Sequence, residues 1–352
     1  MQGMRTFLRS GRVEEGVAHA RTEDEGRRRA EGGSVAWRVL FGVAVLLGLA
    51  WLVANRAEGQ ELIALVRDAQ PRWLLVAIVL QAATYPVDGM VWKRALVRRG
   101  EHRDLGLGTI TRLAFAKFFV DQFLPGGGVG GTVLTMRSLQ TRGVSRDAAM
   151  HGLVARLVSY YFAYALALAL AAAIAWVAAD RLPRTILGLS SAAAVVFLFV
   201  PALLLWALRH PQRRLTRFLL HTRLLARARP LVLSMTRAAP AVGRDRGLLL
   251  ECTAWQFAIF ALDGATLWAT LHAVGMATSL PVAYAGFLLG FLAGSVGIPA
   301  GIGVFEAGAV AGLALLGVPS APALAATLLF RGFSLWLPLA PGAYYARRES
   351  WR

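Results

Sequence analysis

The stretch "GFLAGSVGIPAGIGVFEAGAVAGLALLGVPSAPALAATLLFR", residues 290–331, decides how this chain is read. It is apolar enough for a membrane, yet it interrupts its own helix. Gly297, Pro299, Gly301 and Gly303 fall within seven residues, and Glu306 follows. Free backbone groups and a carboxylate are costly in hydrocarbon, so such a stretch is tolerable only where protein buries it or where it lines a wet cavity. A stretch of the same build stands earlier: "FLPGGGVGGTVLTMRSLQTRGVSRDAAMHGLVAR", residues 123–156, broken at Pro125, Gly126, Gly127 and Gly128. Pro125 precedes Pro299 by 174 positions, Gly143-Val144 precedes Gly317-Val318 by 174, and Arg156 precedes Arg331 by 175. Three landmarks on one offset describe two copies of one unit: a broken apolar hairpin, a Gly-Val turn, and a long helix carrying one arginine. Paired broken segments at corresponding places in two halves point to a transporter's binding site.

Working outward, the chain is 57% hydrophobic over 352 residues, with a mean hydropathy of +0.53. A soluble protein of this length would be more polar. Several apolar runs reach the ~20 residues that cross a bilayer. A single cysteine, Cys252, excludes an internal disulfide and a multi-cysteine zinc site. The net charge of +18 is nearly all arginine. Basic loops on the cytoplasmic face explain it better than nucleic-acid binding does.

The expected fold is an all-α integral membrane protein: six spanning helices plus two re-entrant helical hairpins in an inverted repeat. Residues 1–35 read as a disordered cytoplasmic tail, and 36–348 as the membrane domain. The repeat units are about 73–208 and 248–346, with a basic, amphipathic cytoplasmic loop at 209–246. The expected spans are 37–54, 73–96, 148–178, 185–208, 248–272 and 323–345. The hairpin limbs at 131–140, 284–297 and 303–316 fall short of ~20 residues, so half-helices that enter and return fit better than full spans. With the N-terminus inside, 30 Lys/Arg fall on the inner segments and 4 on the outer loops. That bias sets both ends in the cytoplasm. The first hairpin then enters from the cytoplasm and the second from outside.

Charged groups in apolar surroundings are the candidate site. Arg156 and Arg331 sit equally deep from opposite faces, and the guanidinium fork fits a phosphate. One reading makes them two phosphate clamps, one per access state. The other pairs each with a carboxylate that locks its hairpin, Glu306 and Asp121 being the obvious partners. Glu306 follows the break at a half-helix N-terminus, where it either caps the helix or binds a proton or coupling cation. Lys117 and Asp121, four apart on one helix face, fit an internal ion pair as well as a site. Arg137 lies within the short limb of the first hairpin. Asp88 and Asp263 each precede a glycine in a tryptophan-bearing segment, and structural hydrogen bonding explains both. His151 and His272 lie near span ends and read as interfacial. "PGGGVGG" lacks the Gly-Lys-Ser/Thr ending of a nucleotide loop, and no His-Glu-x-x-His or Gly-x-Ser-x-Gly occurs. No cofactor is expected.

Residues 123–156, taken with "GIPAGIGVFEAGAVAGLALLGV" and Arg331, resemble the lysylphosphatidylglycerol synthase transmembrane-region family, also called flippase-like domain proteins. The resemblance covers roughly 37–348. It implies a bacterial inner-membrane protein that handles phospholipids or polyprenyl-phosphate lipids, and it carries Glu306, Arg156 and Arg331 as typical motif residues. The family's first motif has an acidic residue after the glycines; here Gly131 and Thr132 stand in that place, with Arg137 retained. Aminoacyl transfer to lipid needs an additional soluble domain, and no stretch for one is seen. The expected function is therefore a flippase or transporter of a phosphate-headed, anionic lipid. The alternatives are an accessory protein that recruits or regulates a lipid or envelope synthase, and, more remotely, a lipid transferase.

Overall fold

The computed structural model describes residues 64–101, 105–123, 129–177, 229–295 and 303–350, with the isolated residues 199 and 206. All regular structure among them is helical. Helix α1 is Pro71–Arg98, α2 Leu107–Phe123, α3 Val129–Gln140 and α4 Arg146–Val177. Helix α5 is Arg229–Arg244, α6 Arg246–Ala273, α7 Leu280–Gly294 and α8 Val304–Leu315. Helix α9, Ser320–Arg331, runs through a π-helical turn, Gly332–Trp336, into α10, Leu337–Ser350. The expected spans 37–54 and 185–208 lie outside the described residues, as do Pro125, Gly126, Gly127, Gly128, Pro299 and Gly301. The same holds for residues 1–35 and 209–228.

Among the described residues, four helices are long and apolar enough to cross a membrane: α1, α4, α6 and the continuous rod Ser320–Glu349. At 1.5 Å per residue, the 28 residues of α1 reach ~42 Å, against ~30 Å of hydrocarbon. The 12-residue helices α3 and α8 reach only ~18 Å. Large apolar side chains such as Leu75, Val79, Leu166, Trp176 and Leu250 lie on the outside. That is the pattern of a multi-pass membrane protein, whose surroundings are as apolar as its core.

One offset relates the two halves. Adding 175 carries α1 onto α6 and α3 onto α8 residue for residue, and carries the start of α4 to within one residue of the start of the Ser320–Glu349 rod. The Gly-Val turns match in detail. Gly143 and Gly317 have φ of 86° and 89°. Val144 N–H donates to Leu139 O at 3.1 Å, and Val318 N–H donates to Leu313 O at 3.0 Å. Each turn is a helix C-cap in which glycine avoids the Cβ clash of a left-handed residue, and each following valine is buried.

The equivalent helices α1 and α6 pack antiparallel along their length. Gln70 N–H at the start of α1 donates to Ala273 O at the end of α6. Gln81 meets Asp263 midway, and Arg94 meets Glu251 at the far end. Past their centres, Gly89 of α1 admits α2 and Gly264 of α6 admits α7. A Cβ on Gly89 would lie 2.9 Å from Ile110, and one on Gly264 would lie 2.5 Å from a Tyr284 ring carbon. The Asp-Gly pairs of the sequence thus mark two equivalent helix crossings.

Among the described residues, the basic segments gather at one end of the bundle. There Glu251 pairs with Arg94, Ser145 donates to Glu101, and Arg142 holds Glu349 through two bonds of 2.7 and 2.8 Å. The start of α2 and the end of α3 lie toward this end. The start of α7 and the end of α8 lie toward the other, where Trp268 Nε1–H donates to Thr278 O. Helix α5 buries Ala239 and Val242 against α1, α4 and α6, so this part of the 209–246 segment is packed core as well as basic loop.

Candidate functional site

Each half-helix that follows a break carries a carboxylate on its first backbone donors. In the second half, Gly303 (φ 85°) precedes α8, and Glu306 Oε2 accepts from Gly303 N–H at 2.6 Å. A carboxylate three residues into a helix reaches back to the cap position and complements the helix dipole there. Its other oxygen, Oε1, accepts from Arg331 Nε–H at 2.8 Å. The Arg331 guanidinium also lies 5.0 Å from the centre of the Phe305 ring. The expected pairing of Arg331 with Glu306 is present.

The first half does the same work with a different residue. Gly131 stands 175 before Glu306, so no side chain is available at that position. Instead Asp121, from α2, places Oδ1 on Gly131 N–H at 2.9 Å. A Cβ on Gly131 would fall 2.5 Å from that oxygen and 2.4 Å from Lys117 O. The carboxylate of Asp121 therefore fills the space an acid at 131 would occupy. Its Oδ2 pairs with Lys117 Nζ at 2.8 Å, as the four-residue spacing suggests. The missing motif acid is replaced in space, not lost.

The arginine of the first half corrects an expectation. Arg156 does not pair with Asp121; its Nη1–H donates to Asp88 Oδ1 at 2.5 Å. Asp121 is already held by Lys117 and by the α3 N-terminus, whereas Asp88 faces α4 from the middle of α1. Arg137 also departs from its expected place. It is exposed, on the face of α3 opposite buried Met136 and Leu139, and lines no part of the cavity described below. His151 is 3% exposed, buried in α4 and not interfacial. His272 sits between the rings of Trp73 and Trp268 at 4.8 and 4.6 Å.

The charged groups converge on a cavity of ≈ 250 Å³. Asp88, Lys117, Asp263 and Arg331 line it, together with Gln81 and Ser334. Arg156 reaches it through Asp88, Glu306 through Arg331, and Asp121 through Lys117. Phenylalanines complete the lining: Phe287, Phe291, Phe305 and Phe330, with the Phe305 and Phe330 rings stacked at 5.6 Å. The side chains of the three ion pairs keep only 13–17% of their exposure. Directly after Arg331 the helix loosens into its π turn, which carries Ser334 into the cavity wall with no partner for Oγ among the described residues. π-Helical turns of this kind occur frequently at functional sites.

Asp263 and Gln81 were not legible as a site from residue type alone. The signal was present in the offset. Asp88 and Asp263 stand 175 apart, as do Arg156 and Arg331, and as do Gln81 and Gln256. Among the described residues no group of three His, Cys, Asp or Glu is arranged to hold a metal ion.

No curated protein matches the chain. The profile described as the lysylphosphatidylglycerol synthase TM region matches residues 39–342. That range takes in both broken hairpins, both arginine helices and every residue of the cavity, so the chain belongs to the lysylphosphatidylglycerol synthase TM region family.

Proposed function

We propose that this protein moves a phosphate-headed lipid between the leaflets of a bacterial inner membrane by alternating access. In this reading the chain has six spans, both ends in the cytoplasm, and two re-entrant hairpins in an inverted repeat. The basic end of the bundle faces the cytoplasm, where arginine-rich segments meet anionic headgroups. The hairpins open toward opposite ends, so rocking one half against the other exposes the cavity to each leaflet in turn. The chain acts as a carrier and not as a transferase.

The observation that carries this reading is the cavity between the two halves, lined by Arg331 and Lys117 and walled by phenylalanines. Its ≈ 250 Å³ would hold about eight waters, enough for a phosphate headgroup. The aromatic wall suits the first carbons of the lipid. A phosphate exchanges for a carboxylate on Arg331, since both offer oxygens to the guanidinium fork. The ion pair to Glu306 then breaks as lipid enters and reforms as it leaves.

The test is a leaflet-resolved assay in vesicles of phosphatidylcholine with fluorescent phosphatidylglycerol. The wild-type chain is expected to scramble or pump the probe, and Arg331→Ala to abolish movement while still inserting. Unchanged movement in that variant refutes the site. A wild-type chain that moves no phosphate-headed lipid, yet co-purifies with a lipid or envelope synthase, favours the accessory role.

A further inference from the structure

Among the described residues, seven charged side chains meet at or one contact behind the cavity, and they do not cancel. Lys117 is held by Asp121, Arg156 by Asp88, and Arg331 by Glu306. The seventh, Asp263, has no ion pair among the described residues. Its described partner is the Gln81 amide, whose Nε2–H donates to Asp263 Oδ1 at 3.1 Å and lies 3.4 Å from Thr84 Oγ1. Gln81 is 6% exposed, and its Oε1 accepts no hydrogen bond from any described residue. A buried carbonyl oxygen left unpaired costs about 1–3 kcal/mol. A lone carboxylate at mid-span is costlier still.

Both defects have one remedy. A carboxylic acid and a primary amide form a closed ring of two hydrogen bonds, in which the amide N–H donates to the acid carbonyl and the acid O–H donates to the amide oxygen. One half of that ring is present in the Gln81–Asp263 bond. The missing half needs a proton on Asp263 Oδ2, directed at the orphaned Gln81 Oε1. The equivalent place in the other half shows the contrast. There Asp88 is taken by Arg156, and Gln256, which corresponds to Gln81, is buried with no partner for its Nε2 among the described residues. The arginine has displaced the amide in one half, while the amide remains in the other because Glu306 draws Arg331 away.

We propose that Asp263 is a proton-binding site closed by the Gln81 amide, and that its proton is the coupling ion of lipid movement. The second clause rests on the transport reading above; the first does not. The proton comes from water in the cavity, joins Oδ2, and returns to water on the other side. Every charged or titratable group facing it bears on the outcome. Helix α1 presents Tyr85 and the Arg156-bound Asp88, and α4 presents Arg156 and Tyr160. Helix α7 presents Tyr284 against Gly264, and α9 presents Arg331 across the cavity. Lys117 lines the same space from α2. Helix α5 meets α6 near Leu248 and Cys252, far from Asp263. With Asp263 ionised, the seven groups carry one excess negative charge, which repels a phosphate and competes for Arg331. With Asp263 protonated they are neutral. Proton and phosphate therefore bind together, and lower pH favours the loaded state.

Two readouts test this on the full chain in vesicles of phosphatidylcholine and phosphatidylglycerol. The first is acid-minus-alkaline infrared difference spectroscopy. A hydrogen-bonded carboxylic-acid carbonyl band is expected in the wild type, absent in Asp263→Asn and shifted to higher frequency in Gln81→Leu. Asn reproduces the shape of the protonated acid, so this variant folds if the proposal holds. The second is movement of fluorescent phosphatidylglycerol under an imposed pH gradient, which accelerates the wild type and has no effect on Asp263→Asn. A band that persists unchanged in Asp263→Asn overturns the proton site while leaving lipid transport standing. A band that behaves as expected in a chain that moves no lipid upholds the site and defeats the transport reading. Acceleration by a sodium gradient in place of a proton gradient overturns the coupling assignment.

Discussion

Neutralising Glu306 and Arg331 singly and together measures whether the pair at the second break is a latch. The variants are Glu306→Gln and Arg331→Met. Gln retains an oxygen for Gly303 N–H, and Met keeps an uncharged chain of similar length beside the Phe305 ring that the guanidinium overlies. For charge centres ~4 Å apart at an effective dielectric of ~20, the attraction is about 4 kcal/mol. The side chains keep 13% and 14% of their exposure, and solvent screening reduces that to about 2 kcal/mol. A charge-assisted hydrogen bond falls in the same range, ~1.5–3 kcal/mol. Each single variant leaves one charge uncompensated, so each is expected to destabilise by ~2–4 kcal/mol. The double variant should lose less than the sum, by a coupling of ~2–3 kcal/mol. The cycle cancels whatever else either side chain touches. The assay is reversible denaturant unfolding in bicelles, on all four proteins. A coupling below ~0.5 kcal/mol would refute the latch, and with it the idea that substrate must break this bond to load.

Two further outcomes follow, one from a glycine in each half. Gly131→Ala would press a methyl group onto Lys117 O and the Asp121 carboxylate, so a loss of ~1–3 kcal/mol is expected in the same unfolding assay, with no gain from added volume. Gly317→Ala forces a φ of 89° on a residue with a Cβ and should cost ~1–2 kcal/mol, read as a lower thermal midpoint with unchanged helix content.

Much of the fold was legible because it is local. A long apolar run declares a span wherever it lies, and four of the six expected spans coincide with helices that the structure describes. The Gly-Val turns were visible because a left-handed helix cap calls for glycine whatever packs around it. Lys117 and Asp121 found each other for the same reason, four residues apart on one helix. The partner of Arg156 was not legible. Asp88 and Asp121 are both carboxylates in apolar segments, and nothing in the linear order prefers one. The choice was made by α1 crossing α4 with Asp88 at the crossing, and by the α3 N-terminus holding Asp121 in place. Arg137 misled for a related reason: being on a half-helix does not say which face a residue takes.

The sequence alone determined a membrane protein made of two like halves, with one arginine at equal depth in each. Length, apolarity and turn chemistry act within a few residues of themselves, so no packing was needed to read them. Only the tertiary structure decided which acid meets which base, 25 and 68 positions apart, and which amide meets Asp263, 182 positions away, because those partners are chosen by helix crossings. It decided that Asp121 stands in for the acid absent at 131, since a carboxylate can enter that space only where a glycine leaves it open. It also left Asp263 with an amide for company, because the one arginine that matches it by the offset is held by Glu306.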